Sequence, residues 1–168
     1  SHFNTPNPPI RASFLLSKVF CEHFPPPPAN AQTLAGAAEL KPGMTNREEF
    51  VARIQVASAC KSCHEVMDPM GFAFEIYNEV GMHLKNDAKA PGKAIDASGS
   101  LKLSNPTDID GPFKDAVELS NKIGSSKSVQ ACMTQQFYEY VTARDAEGTI
   151  APVLEDGVDQ CRIKAMND

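Results

Sequence analysis

The chain has 168 residues, enough for one domain with its own core, and 42% of them are apolar, which excludes a disordered chain. A net charge of −5 and a pI near 5.4, without any dense Lys/Arg block, exclude nucleic acid as a partner class. No apolar run reaches the roughly 20 residues that a membrane span needs, and the polar, Pro-rich start from Ser1 lacks the pattern of a signal peptide, so a mature, processed or excerpted chain is expected.

Thirteen prolines and ten glycines point to long ordered loops between helices. Residues 1–12 read as an extended polar arm, followed by helical spacing in Phe14, Leu15, Leu16, Val19 and Phe20 up to Cys21. Pro25 to Pro28 stop that helix and open a loop of polyproline character over 25–43. Thr45-Asn46-Arg47-Glu48 is a capping box, and Phe50, Val51 and Ile54 continue it as a helix running toward Cys60. Asp68-Pro69-Met70-Gly71 is expected to break the helical stretch after Cys60. Phe72 to Val80 would be a second short helix or irregular apolar segment that ends at Gly81.

Residues 85–112 read as a long polar loop in which Ile95 to Gly99 and Leu101-Lys102-Leu103 form a small hairpin, with a turn at Asp110-Gly111-Pro112. Phe113, Ala116, Val117 and Leu119 start a helix. Ser128 caps the next, where Val129, Cys132, Met133, Phe137, Tyr140 and Val141 recur at helical steps. From Glu147 a loop leads to a short helix around Val158 to Ile163. The class is mostly α with long Pro/Gly-rich loops. Three regions share one core: an arm, helix and Pro-rich loop over 1–44, a central region over 45–112 and a helical region over 113–168.

Cys60-Lys61-Ser62-Cys63-His64 carries the chemistry. Two thiols one helical turn apart can each add to a vinyl group of one porphyrin, and the adjacent imidazole then meets the iron; C-x-x-C-H is the attachment signature of haem c. Half a zinc site would need two more ligands, and no second C-x-x-C pair exists. A thioredoxin-like pair needs a strand before it and a long helix after it. The expected cofactor is therefore one covalent haem c on Cys60, Cys63 and His64, with Phe72, Phe74, Ile76 and Tyr77 as candidates to cover the porphyrin.

The sixth ligand is open among several residues. Met133 on an apolar helix face comes first and Met82 in the loop after Gly81 is the alternative, with His83 third and His23 beyond it. Met67 and Met70 lie too near His64 to reach the opposite face of the ring. The remaining cysteines are Cys21, Cys132 and Cys161; a Cys132–Cys161 disulfide is expected, with Cys21–Cys132 as the competing pairing. Asp96, Asp108 and Asp110 resemble loop ligands for calcium but lack a bidentate Glu at the expected spacing.

Pro25 to Asn30, Thr45 to Glu48, the stretch from Cys60 through Asp68-Pro69 and Gly71-Phe72 to Glu75, Ile95 to Gly99, Asp110 to Phe113 and Tyr140 to Arg144 together resemble a known set. They are similar to the two adjoining C-terminal domains of unknown function that end large cytochrome-like secreted proteins of planctomycetes, myxobacteria and some marine proteobacteria. The resemblance runs from about Pro9 to Cys161. It implies a cytochrome c-like helical haem domain and carries over Cys60, Cys63 and His64 as haem-binding. Some members have a His shortly before the first motif Cys, where this chain reads Arg53-Ile54-Gln55, and most have a glycine after the arginine, where this chain has Ala12.

The resulting expectation is a mono-haem c-type electron carrier, rather than an enzyme, in the periplasm or outside the cell. Redox proteins, or upstream domains of a longer chain, would be its partners. Two alternatives stand beside it: a peroxidase-like haem enzyme with an open sixth position, and a haem-bearing subunit of a larger extracellular assembly or oligomer that docks through the arm of residues 1–9.

Overall fold

A computed structural model describes residues 5–22, 24–103 and 107–142. Its helices are α1 (Pro8–Val19), α2 (Ala31–Gly36), α3 (Asn46–Ile54), α4 (Ser58–Ala73), α5 (Ala116–Ser125) and α6 (Lys127–Thr142). Strands β1 (Gly99–Leu101) and β2 (Gly111–Phe113) form a two-stranded antiparallel sheet. The mostly α class is observed.

Helix α1 begins inside the expected arm. The Asn7 side chain accepts from the Ile10 amide, and prolines hold the first two helical positions, where an amide hydrogen would be unpaired anyway. Pro6 and Pro8 are fully buried against their own chain, so they do not belong to a free docking arm. Helix α3 starts at the expected capping box, with Thr45 and Glu48 bonding reciprocally.

Helix α3 stops at Ile54 and α4 begins at Ser58, so the first helix does not run through to Cys60. Conversely, α4 does not break at Pro69 but continues to Ala73. A proline inside a helix costs about 3 kcal/mol, whereas burying each large apolar side chain gains about 1.5–3 kcal/mol. Met70 and Phe72, both buried beyond Pro69, outweigh it. The hairpin is also rearranged. Gly99 pairs with Phe113 and Leu101 with Gly111, so β1 finds its partner beyond a 3-10 turn at Thr107–Ile109 rather than in the adjacent residues.

The core joins Ala12 and Leu16 of α1 to Met70 and Ala73 of α4, and to Leu101, Phe113, Leu119 and Val129. Helices α1 and α4 meet most closely at Gly71, where a Cβ would run into the Pro8 carbonyl. After α1 the chain reverses through Cys21, whose φ of +52° lies in the left-handed region that side chains usually avoid. That residue is bonded to Cys132 of α6, with a Cα–Cα distance of 5.6 Å. The competing pairing therefore replaces Cys132–Cys161, because α6 packs beside α1 and brings Cys132 to the end of that helix. Cys161, Arg144 and the expected helix at 158–163 lie outside the described residues.

Candidate functional site

Cys60 and Cys63 sit one turn apart on α4 as free, half-buried thiols, and His64 follows them. All three line one wall of a cavity of about 810 Å³, within the range of small-molecule and cofactor sites. Ile10, Ser13 and Ser17 of α1 form another wall, and Phe24 with the Pro25 to Pro28 run closes the side. The polyproline run thus has a place in the site: a stiff chain without amide donors makes an apolar rim.

His64 Nδ1 lies 2.9 and 3.0 Å from the two Asp68 carboxylate oxygens, one helical turn on. With Nδ1 engaged, Nε2 is the ring nitrogen left for other chemistry. Asp68 is 1% exposed. Burial pushes its carboxyl above the usual range, while the His64 bond and charge pull it back. The sequence reading missed this pair, whose available signal is the i, i+4 spacing of His64 and Asp68 on one helix.

The expected porphyrin-covering residues lie elsewhere. Because α4 continues past Pro69, it carries Phe72 more than two turns beyond His64 and ends with Phe74 as its C-cap. Phe72 is buried beneath the Arg47 guanidinium, 4.6 Å from ring centre to Cζ. Tyr77 meets His83 edge-on at 6.1 Å and bridges to it through the backbone. None of these lines the cavity.

Of the methionines, Met133 and Met82 are 43% and 65% exposed and do not line it either, whereas Met67 does and Met70 is core. His23 lies outside the described residues.

The loop aspartates have structural partners. Asp96 pairs with Arg47 and Ser98. Asp108 accepts from Ser126 and the Lys127 amide. Ser126, rather than Ser128, caps α6 by accepting from the Val129 amide. Among the described residues, no three His, Cys, Asp or Glu side chains could together hold a bare metal ion, and no helix is long and apolar enough to cross a membrane.

These residues fit a covalent haem in their donor set: two free thiols at one-turn spacing, an imidazole with one nitrogen already held, and a mainly apolar cavity against all three. Comparison with protein families matches residues 1–87 to PSCyt3, a protein of unknown function (DUF1588), which covers the α1 and α4 walls of the cavity and ends before β1. No curated protein and no solved structure matches the chain.

Proposed function

The chain belongs to the PSCyt3 family of unknown function, and from the geometry of Cys60, Cys63 and His64 we propose that it is a mono-haem c-type cytochrome passing single electrons outside the cytoplasm. The carrying observation is that both thiols and the imidazole open on one cavity, with His64 Nδ1 already bonded. Haem bound there would supply a one-electron iron couple. Cys60 and Cys63 would each form a carbon–sulfur bond to a vinyl group, their thiol hydrogens passing to the neighbouring vinyl carbons. His64 would present Nε2 to the iron. Ile10, Leu16, Phe24 and the proline run would exclude water, which favours the less charged state of the site.

The Cys21–Cys132 disulfide supports a compartment outside the cytoplasm, where such bonds persist. Redox proteins or further domains of a longer chain would exchange the electron. The decisive experiment is production in a bacterium able to mature c-type cytochromes. A red protein is expected, with the mass of one haem added and retained under denaturation. The double variant Cys60→Ser, Cys63→Ser should lose that covalent mass. A colourless wild-type protein of bare polypeptide mass overturns the proposal.

The placement of Met133 and Met82 away from the cavity favours a second reading, a haem whose sixth position accepts an added ligand. Rapid carbon monoxide binding to the reduced protein would support it. A methionine-to-iron charge-transfer band in the oxidised protein would exclude it.

A further inference from the structure

Asp68 is an expensive residue where it stands. A carboxylate taken out of water costs several kcal/mol even after relaxation, and this one is 1% exposed. Among the described residues, both its oxygens share one partner, the Nδ1 of His64. An asparagine there could accept the same hydrogen bond without the cost of a buried charge. Positioning alone therefore does not account for the carboxylate. What the charge adds is electronic: an imidazole N–H bonded to an anion gives its other nitrogen a more basic lone pair. The effect is strengthened in an interior of low dielectric.

We propose that Asp68 is a positioning and tuning residue: its carboxylate holds His64 in the Nδ1–H tautomer, makes Nε2 a stronger donor to iron, and biases the site toward its oxidised state. The inference rests on the haem reading above. With haem bound, the iron would supply the one-electron couple, and His64 Nδ1 would keep its proton in both states. The apolar cavity favours the reduced state and Asp68 opposes it, so the two together set the potential.

The test is a potentiometric titration of the haem-loaded protein and its Asp68→Asn variant, in which the amide oxygen still accepts from Nδ1. Losing the charge should lower the oxidised-to-reduced ratio at a fixed potential about tenfold, a rise of about 59 mV for a one-electron couple. A merely structural role would leave the midpoint in place. A second measurement needs only the wild-type protein, reduced and carrying ¹⁵N-labelled histidine. Its His64 Nδ1–H should resonate far downfield and exchange slowly; where Asp68→Asn accumulates, that signal should move upfield.

A haem-loaded Asp68→Asn protein with an unchanged midpoint overturns the inference and leaves the haem reading standing. So does an unprotonated Nδ1 in the wild-type protein. A wild-type chain that takes up no haem overturns both.

Discussion

The two ends of α4 are built in opposite ways. From Ser58 to Met67 no side chain is buried, and the thiols are free. From Asp68 to Glu75 every residue except Pro69 and Phe74 is buried. That second end is fastened on several sides. Gly71 abuts Pro8. The Arg11 guanidinium donates to the carbonyls of Phe74, Tyr77 and Asn78 just past the helix. Asn46, the first residue of α3, donates to Glu75 and to the Pro6 carbonyl. A cofactor site gains accuracy when its ligands stand on a rigid element whose anchorage lies elsewhere. Here the anchored end fixes the direction of α4, while the open end keeps room for a large group. His64 sits at the boundary, and Asp68, the first buried residue, ties the two ends together.

Substitution at the anchored end should have the largest effect. Gly71→Ala puts a methyl group into the Pro8 backbone, which cannot swing aside as a side chain could. A loss of about 3 kcal/mol is expected, which lowers Tm by roughly 6–12 °C for a chain of this size. Thermal unfolding followed by circular dichroism would show it. An unchanged Tm would mean that α1 and α4 do not meet at Gly71, and the contrast between the two ends would fail.

Glu75 makes the anchored end sensitive to pH. It is 3% exposed, and burial, reinforced by the charge of Asp87, pushes its carboxyl up to about 7 against the pull of Asn46, Arg47 and Arg11. Among the described residues, two acceptor atoms of this pair, Glu75 Oε2 and Asn46 Oδ1, are buried without a donor. A proton on Oε2 supplies one. The folded state therefore binds this proton more tightly than the unfolded chain does. Its stabilisation is complete below the unfolded value of about 4.3 and is lost as pH rises through about 7. The loss is of the order of 3–4 kcal/mol. Glu75→Gln, which carries a donor at every pH, should keep its urea midpoint between pH 5 and pH 8 relative to the falling wild type. Parallel pH profiles for the two proteins would remove Glu75 from the anchorage.

What could be read in the sequence divides along the same line. The Thr45–Glu48 capping box is local and stands as expected, and the one-turn spacing of Cys60, Cys63 and His64 on α4 is local too. The features that went astray depend on partners far along the chain. Pro69 reads as a helix breaker until the burial of Met70 and Phe72 is known. β1 pairs across the 3-10 turn rather than with its neighbour. Cys132 finds Cys21 at a separation of 111 residues. Arg11 looks like part of a polar arm, yet it closes the end of α4 from 63 residues away. The α1 start was legible in Asn7-Pro8-Pro9, a capping residue ahead of prolines, and reading it would have supplied the second wall of the cavity.

The smallest expected effect tests the open end directly. Ser62 is exposed, lies between the two thiols, donates within its own turn to the Ala59 carbonyl at 3.3 Å, and meets the Cys63 Sγ at 4.0 Å. Ser62→Ala removes these contacts at a site where water replaces them, and alanine is the better helix former by a few tenths of a kcal/mol. The two effects nearly cancel, so stability should stay within about 0.5 kcal/mol of wild type and Tm within roughly 2 °C. On the proposed haem reading, covalent haem content, read by mass, should be unchanged, because the Ser62 hydroxyl meets the Cys63 thiol only at 4.0 Å and the helix backbone holds both thiols in place. A loss well beyond 1 kcal/mol would show that the first turns of α4 are held as firmly as the last. The cavity would then owe its shape to the motif residues themselves and not to the anchorage beyond Asp68.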